Sequence, residues 1–465
     1  MMTKSPIIVW FRRDFRFSDH EALNAAQSSG RPVIPVFILD EVFEALGAAS
    51  KWRLGLAIGH FKEKLKAIGS NLILRRGDPL KILSEIMVES NASDVFWSRA
   101  YDPTSIDRDT KVKANLNGTS FTGHLLFEPW VPKTKNGENF KVYTPFWRHV
   151  RSELVIGSVQ PSITKLNSPD TWPKSDNLIN WNMGQKMHRG RKIVSNFVNV
   201  GEQAAYDKLI KFIESDIDGY KINRDFPMRN ATSGLSENLT YGEISPRLVY
   251  NITQAAFEKG VLGSEHFLKE LVWREFAYHL LWHFPKLDKQ CWRSNWENFP
   301  WKGQNEEAWA WMQGRTGQSF VDAGMRELYV TGTMHNRLRM IVGSYLTKNL
   351  QTDWRVGLKW FEDCLIDWDP ASNAMGWQWI AGCGPDAAPY FRIFNPNLQA
   401  EKFDSDQGYR KKWLEVEKDG DTNTFFDAIP VAWKLSADKM SNKESVDLAL
   451  SRKRALDAYA LFKEQ

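Results

Sequence analysis

The first 130 residues alternate short apolar runs with amphipathic segments, and this alternation constrains the fold more than any other feature. Ile7–Phe11 and Val33–Leu39 are runs of the kind that form buried parallel strands, and 71–74 and 94–97 repeat the pattern. Helical segments separate these runs, as in a doubly wound parallel sheet. Ligands of such sheets lie at the carboxyl ends of the strands, so we expect polar site residues along that edge.

Two local signals follow the first strand. Arg12, Arg13 and Asp14 come directly after it, but no G-x-G-x-x-G does, so the usual dinucleotide-binding fingerprint is absent. Ser18 and Glu21 have the spacing of a capping box, which predicts that Ser18 caps the first helix.

The chain changes character twice after this segment. Residues 131–200 are polar and rich in turn formers, which indicates a connector between domains. Apolar residues at helical spacing predict helices from there onward, among them Ser264–His283. We therefore expect an α/β N-terminal domain with a doubly wound parallel sheet over residues 1–130 and an all-α C-terminal domain over 201–465.

The composition is that of a globular protein, with 42% hydrophobic and 25% charged residues. No apolar run approaches the ~18 residues of a membrane helix, so we expect no membrane partner. Only three cysteines are present and the N-terminus lacks the apolar core of a signal peptide, which together favour a cytoplasmic protein. The motifs of metal sites, nucleotide triphosphatases and serine hydrolases are missing, and we expect no metal. The net charge of +5 permits an anionic partner.

Tryptophan is unusually frequent. The chain has 21 tryptophans, and twelve of them fall between Trp273 and Trp379. Core packing alone rarely favours this residue, because its indole N–H needs a partner. The cluster suits stacking on flat rings, either nucleic-acid bases or a cofactor.

Two segments of the helical half combine acids, amides and cations. Residues 367–379 contain two acids, then Asn373 and two tryptophans, which indicates either a helix N-cap with core indoles or a polar lip over a bound heterocycle. Asn336 and Met340 share one helix face, and Arg337 beside them is placed either to reach a phosphate or to form part of a solvated basic helix.

Two weaker candidates accompany them. Glu270, Trp273 and Arg274 lie on one face of a predicted helix, where they form either an intrahelical Glu–Arg pair over an indole or part of a binding site. Thr232–Ser236 is a hydroxyl-rich loop, which is either a simple turn or a phosphate-binding loop.

Taken in order, these segments resemble the photolyase/cryptochrome family. The similarity rests on Val9–Asp14 with Asp19, on Glu270–Phe276, and on three stretches of the C-terminal half. Those stretches are Thr316–Arg326, Met334–Met340 and Asp367–Pro396. The match covers nearly the whole chain, and the C-terminal half is the more diagnostic part.

The resemblance implies an α/β domain joined by a long loop to a helical domain that binds FAD. The residues that it assigns to the cofactor are Tyr220, Thr232, Ser233, Gly234, Leu235, Ser236, Phe267, Glu270, Arg274, Asn336, Arg339, Asp367, Asp369 and Asn373. In the family, Arg339 would pair with Asp367 beside the isoalloxazine, and Asp369 would hold the adenosine side. Asn373 falls where photolyases commonly place Asn against the flavin, and this favours a repair enzyme.

The resemblance further implies light-driven repair of cyclobutane pyrimidine dimers in UV-damaged DNA, as in bacterial photolyases. The residues that it assigns to the lesion are Arg224, Glu270, Trp273, Arg274, Asn336, Arg337, Met340 and Trp379. Glu270 would hydrogen-bond the thymine edge, and Trp273 and Trp379 would flank the dimer. Enzymes of the family that repair the (6-4) photoproduct carry histidines where Asn336 and Met340 stand, so that activity is disfavoured.

The resemblance also gives the tryptophan cluster a role. Trp377, Trp354 and Trp301 match the family's photoreduction chain, from the flavin to the surface. Indoles suit this role because the ring is easily oxidised and its N–H can then lose a proton. Together with Glu270 and the pair Asn336 and Met340, these three form the expected catalytic set.

Several properties stay open within the family. The alternative to a repair enzyme is a cryptochrome-like blue-light photoreceptor with little repair activity. A second, antenna chromophore is expected to be methenyltetrahydrofolate, a deazaflavin, another flavin or none. We expect a monomer with no obligate protein partner. Thr333 and Glu237 depart from the family pattern, and Glu237 places an acid beside the expected FAD loop.

Overall fold

The computed structural model describes residues 4–415, 422–437 and 444–464. Its N-terminal part contains one parallel five-stranded sheet with helices on both sides. The strands are β1 Ile7–Phe11, β2 Val33–Leu39, β3 Ile73–Arg76, β4 Asp94–Ser98 and β5 Gly118–Phe121. Their order is β3-β2-β1-β4-β5 and every neighbouring pair is parallel, which confirms the doubly wound sheet.

Burial explains which strands were predicted well. β1 and β2 are buried along their whole length, so both faces require apolar residues and the runs stand out in the sequence. β3 lies two residues further along than the apolar run at 71–74 indicates. β5 was not predicted, because this edge strand is only partly buried and its sequence, Gly-Thr-Ser-Phe, lacks an apolar run.

The helices of the first half surround the sheet or follow it. They are α1 Glu21–Ser28, α2 Glu41–Glu44, α3 Ala48–Ala67, α4 Pro79–Ser90, α5 Pro103–Asn115, α6 Tyr143–Glu153 and α7 Gly190–Val194. The described part of the C-terminal half is helical and contains no named strand. Its helices are α8 Glu202–Lys211, α9 Tyr220–Asn223, α10 Ser236–Thr240, α11 Pro246–Glu258, α12 Ser264–His283, α13 Glu306–Met312, α14 Ser319–Thr331, α15 Asn336–Ser344, α16 Trp354–Cys364, α17 Pro370–Ala381, α18 Pro396–Phe403, α19 Gly408–Leu414, α20 Thr422–Ala428 and α21 Leu448–Glu464.

The cap of α1 differs from the expected one. The N-cap residue is His20, whose Nδ1 accepts a hydrogen bond from the backbone N of Leu23 at 3.2 Å. The predicted capping box of Ser18 and Glu21 is therefore wrong. The Ser18 backbone N instead donates to the carboxylate of Glu202 at 2.9 Å, so a partner distant in sequence outcompetes the local cap.

The segment between the two halves is more ordered than its polar composition indicates. It contains α6, in which Phe146 and Val150 are buried in the core of the helical half. The four-residue spacing of these two apolar residues places them on one helix face, which packs against α12. The division at residues 130 and 200 itself stays a prediction.

Helix α17 is the centre of the helical half, because α12, α15 and α16 all pack against it. These four helices carry most of the residues that the family resemblance assigns to a site. Among the described residues, no helix is both long enough and apolar enough to cross a membrane.

Candidate functional site

The face of α12 carries Glu270 and Trp273. The carboxylate of Glu270 forms an ion pair with the guanidinium of Arg224, at the end of α9. The intrahelical Glu270–Arg274 pair considered from the spacing is not formed, because Arg274 Nη1 donates to Glu275 at 3.0 Å. The α12 face is therefore tied to a neighbouring segment rather than to its own next turn.

Consecutive residues Arg224 and Asp225 join α12 to α15. While Arg224 holds Glu270, the Asp225 carboxylate pairs with Arg337 at 2.5 Å. The Arg337 guanidinium also lies over the Phe403 ring, 4.5 Å from its centre. Glu270 and the start of α15 are thereby fixed on one side of the helical half.

Helix α15 presents different residues to two sides. His335 is its N-cap and accepts from the backbone N of Arg337 at 3.2 Å. Asn336 is exposed and Met340, one turn later, is half-buried. Arg337 and Arg339 lie on opposite sides of the helix: Arg337 pairs with Asp225, and Arg339 Nη2 donates to both carboxylate oxygens of Asp367, at 3.1 and 2.8 Å.

Trp273 has a partner that the sequence did not reveal. Its ring stacks on Tyr143 of α6, with centroids 3.6 Å apart and planes 10° apart. The Tyr143 backbone N donates to Asp386 at 3.1 Å, in the segment that follows α17. Trp379, near the end of α17, is half-buried. One face of Trp273 is thus covered, and the pair is anchored to the helix that carries Trp379.

Residues 367–379 were expected to form either a helix N-cap or a polar lip over a bound ligand, and the start of α17 has features of both. Asp369 is the N-cap, and its side chain accepts from the backbone N of Ser372 at 2.8 Å. Asn373, one turn later, donates through Nδ2 to the Leu358 carbonyl at 3.1 Å, which fixes its amide orientation. Because that bond uses only one donor, the Asn373 side-chain oxygen is left for another partner.

A buried polar network lies behind Asp369. The hydroxyl of Tyr278 donates to Asp369 and lies 3.0 Å from His124 Nε2, and Arg274 Nη2 is 3.2 Å from the same nitrogen. Burial raises the pKa of Glu275 to about 7, although Arg274 opposes the shift. Burial also lowers the pKa of His124 well below its ordinary value, with the charge of Arg274 adding to it. Arg274 is thus committed to this interior network, whereas the sequence assigned it to cofactor and DNA.

The hydroxyl-rich loop lies close to the Arg339–Asp367 pair. Leu235 is buried in one cluster with Tyr220 and Phe267, whose rings are 5.6 Å apart. The helix that follows, α10, reaches Asp367 through Thr240 Oγ1, which donates to the Asp367 carbonyl at 3.2 Å. The loop at 232–236, helix α10 and Asp367 therefore lie close together, although they are far apart in sequence.

Glu237, the acid expected beside this loop, forms ion pairs with two cations. It is 4% exposed and pairs with Lys208 at 3.1 Å and Arg53 at 3.5 Å. Lys208 Nζ also donates to the Gly234 carbonyl at 3.2 Å. The departure at Glu237 is therefore compensated by two cations, and one of them lies at the loop.

These residues fit a flavin dinucleotide. The hydroxyls of Thr232 and Ser236 find no hydrogen-bond partner among the described residues, and Lys208 reaches the same loop at the Gly234 carbonyl. Gly234 has φ 62°, and a side chain there would meet open space. Hydroxyl donors and a nearby cation suit a diphosphate, and the Arg339–Asp367 pair with the free Asn373 oxygen suits the polar edge of a flavin ring. No cluster of His, Cys, Asp and Glu able to ligate a metal occurs in the described ranges.

The three tryptophans of the expected chain follow one another through the structure. Trp377 is 3% exposed and packs so closely on Gly357 that a side chain at that position would overlap its ring. Gly357 lies one turn after the fully buried Trp354 in α16. A backbone bridge between Lys302 and Thr352 then places Trp301, which is half-buried, beside the start of α16. Exposure is thus lowest at Trp377 and Trp354 and rises at Trp301.

A cavity of about 590 Å³ lies at the carboxyl edge of the sheet and is a second candidate binding site. Arg12 follows β1, Tyr101 follows β4, and both line it, as the parallel sheet predicts. Tyr278 and Asn373 line it from the helical half. Trp10 lies next to it between two guanidiniums, with Arg12 4.6 Å from its ring centre and a second arginine on α5 at 4.9 Å.

Comparisons with known proteins agree with these features. Residues 7–167 match the family model described as DNA photolyase, and residues 267–461 match the model described as FAD binding domain of DNA photolyase. A deoxyribodipyrimidine photo-lyase of Agrobacterium fabrum is 43% identical over 99% of this chain and 98% of its own length.

Two solved structures are similar along nearly the whole chain. A bacterial class III photolyase from Agrobacterium tumefaciens aligns with a TM-score of 0.92 at 42% identity, covering 100% of this chain and 99% of that one. An archaeal photolyase from Sulfolobus tokodaii with two FAD molecules aligns with a TM-score of 0.80 at 28% identity, covering 98% and 100%.

Proposed function

Because the chain belongs to the DNA photolyase family, we propose that it repairs cyclobutane pyrimidine dimers in UV-damaged DNA by light-driven electron transfer. One observation carries the proposal: on α15, Arg337 pairs with Asp225, which is next to the arginine that holds Glu270, while Arg339 pairs with Asp367. A single helix thereby links a substrate face to a cofactor site. The enzyme is a deoxyribodipyrimidine photo-lyase, which breaks carbon–carbon bonds.

The cofactor site is assigned to residues that would hold FAD. Thr232 and Ser236 would donate to the diphosphate, and the Arg339–Asp367 pair and Asn373 would hold the polar edge of the ring. When bound, reduced FAD supplies the electron that light makes available to the dimer. The protein contributes orientation and electrostatics rather than the electron itself.

The substrate face is suited to a flipped-out dimer. Glu270 offers carboxylate oxygens to the thymine edge, and Arg224 holds that carboxylate in place. Trp273, backed by Tyr143, and Trp379 would flank the dimer with flat rings. A damaged pair stacks and pairs poorly, so its extrusion costs less than that of normal bases, and photolyases are a known class of base-flipping enzyme.

Phosphate contacts would supply most of the affinity. Arg337 is held at the same face by Asp225 and is 17% exposed, so one edge of its guanidinium can still meet a phosphate. Contacts of this kind bind DNA regardless of sequence and weaken as salt increases. We propose that the protein binds as a monomer and needs no protein partner.

The tryptophan chain would return the enzyme to its active redox state. Trp377, Trp354 and Trp301 would pass an electron inward from the surface, and none of their indole N–H groups is hydrogen-bonded to a described residue.

Two other activities found in the family are less consistent with this sequence. Asn336 and Met340 stand where a (6-4) enzyme has histidines, so that activity is disfavoured. A blue-light photoreceptor is less favoured, because Asn373 is the residue that photolyases commonly place against the flavin.

An antenna chromophore would fit the cavity at the carboxyl edge of the sheet. The cavity is large enough for a second ring system, and Arg12 and Arg108, which line it, offer positive charge. The choice between methenyltetrahydrofolate, a deazaflavin and another flavin stays open.

Complementation of a bacterium that lacks photolyases tests the function. Cells expressing the protein are irradiated with ultraviolet light and then kept in blue light or in the dark. We expect survival to increase only after blue light. Equal survival in both conditions, from cells whose protein is loaded with FAD, would favour the photoreceptor.

A further inference from the structure

Two of the three cysteines are buried together beside the middle tryptophan of the chain. Cys291 is 3% exposed and Cys383 is 0% exposed. The backbone N of Arg293 donates to the Cys383 carbonyl at 3.0 Å, which holds the segment after Cys291 against the turn that ends α17. The pair therefore lies between the helix that carries Trp377 and the start of the helix that carries Trp354.

Polar side chains fix each thiol. Gln378 accepts from the backbone N of Trp292 at 2.8 Å, and its Oε1 lies 3.8 Å from Cys383 Sγ. Arg355 Nη2 lies 4.0 Å from Cys291 Sγ. Glu297 accepts from the Cys291 backbone N at 2.6 Å and pairs with the Arg355 guanidinium at 2.8 Å.

The surroundings activate Cys291 in particular. Hydrogen bonding with the Cys383 thiol lowers the pKa of Cys291, burial opposes the shift, and Trp354 and Arg355 strengthen it. The Arg355 guanidinium lies 4.7 Å from the centre of the Trp354 ring and 4.0 Å from Cys291 Sγ, so the thiol and the indole are both neighbours of this cation. Burial raises the pKa of Cys383 well above its ordinary value, so that thiol keeps its proton. The thiolate is the reactive form of cysteine, and a neighbouring cation favours it.

We propose that Cys291 and Cys383 are an internal electron donor that refills Trp354 after light has driven an electron inward along the tryptophan chain. This inference rests on the proposed function, because the oxidant is the oxidised indole of Trp354. It adds a source of electrons within the protein to that function.

The electrons and protons balance over two light-driven events. In the first, Cys291 gives one electron to the oxidised Trp354 indole, and its thiol proton passes to the Glu297 carboxylate. Glu297 is 41% exposed and can release that proton to water. In the second, the Cys291 radical bonds to the Cys383 sulfur, one electron reduces the Trp354 indole that a second photon has oxidised, and the Cys383 proton passes to the Glu297 carboxylate, which has by then released the first proton. Two thiols become one disulfide, with two electrons and two protons released.

The third cysteine provides a matched control. Cys364 is also buried, at the far end of α16 from Trp354. Burial raises its pKa well above the ordinary value, and the nearby Asp363 charge adds to the shift. No hydrogen bond from its sulfur to another described residue occurs, so it lacks the features that would make it a donor.

The test uses the full-length protein with oxidised FAD bound, under anaerobic conditions and without added reductant. The protein is illuminated with blue light, flavin absorbance is followed, and free thiols are then titrated after denaturation. We expect the flavin to bleach and the thiol count to fall from three to one. Peptide mapping by mass spectrometry should find Cys291 joined to Cys383, in wild type and in Cys364→Ser. Trp354→Phe should keep all three thiols.

Three thiols remaining in bleached wild-type protein would overturn the inference and leave the proposed function intact. Failure of the flavin to bleach even with added dithiothreitol would contradict the tryptophan chain itself, and the inference would fail with it. A disulfide that forms equally in the dark would also overturn it, because the oxidation would not then depend on Trp354.

Discussion

The Arg224 guanidinium forms an ion pair with the Glu270 carboxylate, and this contact fixes the one acidic side chain of the proposed substrate face. Glu270 is 32% exposed on its side chain, so its carboxylate is restrained but still within reach of a ligand. An ion pair of this kind fixes the orientation of the carboxylate.

Replacing Glu270 by alanine should reduce repair while FAD stays bound. The substitution removes the hydrogen-bond acceptor for the thymine edge, and losing one buried hydrogen bond to a charged group costs about 1.5–3 kcal/mol, or a 10–100-fold lower yield. The loss is measured as the fraction of a dimer-containing oligonucleotide that the pre-reduced enzyme repairs. Glu265→Ala, on the same helix, is the matched control, and unchanged repair by Glu270→Ala would exclude the proposed role.

The Arg339–Asp367 pair predicts a loss of cofactor in Arg339→Leu. The Asp367 side chain is 3% exposed, so removing its partner leaves a buried carboxylate unpaired, at a cost of about 1–3 kcal/mol in the free energy of unfolding. We expect the ratio of FAD to protein after gel filtration to fall. The double variant Arg339→Leu/Asp367→Asn should recover stability but not FAD. Full FAD content in Arg339→Leu would contradict the assigned site.

The sequence predicts a structural feature well when the residues that determine it are close together along the chain. α12 begins and ends where its apolar residues indicate, and in its second half it is buried on all sides, so apolar residues are dense there. β1 and β2 were predicted because burial on both faces leaves a continuous apolar run. The family motifs correctly paired Arg339 with Asp367.

Partners that lie far apart in sequence could not be predicted. Glu270 pairs with Arg224 rather than with the residue four positions later, and Ser18 bonds to Glu202 rather than capping a helix. Nothing in the sequence indicates that Tyr143, in a polar connector, stacks on the Trp273 ring. Each of these contacts depends on the tertiary arrangement, which local spacing does not encode.

The tryptophan chain predicts that Trp301→Phe slows light-driven reduction of the oxidised flavin. Phenylalanine preserves the shape of the site but is much harder to oxidise, so we expect at least a tenfold lower rate, which corresponds to about 1.4 kcal/mol. Absorbance under blue light with added reductant measures the rate. Trp309→Phe, at a tryptophan 40% exposed on α13, is the control. Reduction at the wild-type rate in Trp301→Phe would remove Trp301 from the chain.

Stability should decrease as pH rises through neutrality, in part because of Glu327. This side chain is half-buried and accepts from the backbone N of His335 at 3.3 Å, as well as from the hydroxyl of Tyr409. Burial raises its pKa to about 7, opposed by Tyr409, His335 and the charges of Arg339 and Lys412. The folded state then binds more protons than the unfolded state between the ordinary pKa of 4.5 and about 7, so the stabilisation is complete below that range and is lost above it.

Glu327→Gln should remove that part of the pH dependence. Glutamine stays neutral and can still accept from Tyr409, so at pH 8 the variant should be more stable than wild type by more than about 1 kcal/mol. Thermal unfolding from pH 5 to 8 measures the difference. The control is Glu306→Gln, which makes the same substitution at an exposed position. A variant that follows the wild-type curve across this range would show that Glu327 does not titrate as the structure indicates.

The central claim is tested most directly by illuminating the purified, reduced protein with two DNA oligonucleotides, one containing a cyclobutane thymine dimer and the other a (6-4) photoproduct. Chromatography then counts the restored thymines. We predict restoration of the cyclobutane substrate in blue light, none in the dark, and none of the (6-4) substrate in either. If the reduced, FAD-loaded protein leaves the cyclobutane dimer intact in blue light, the account is contradicted.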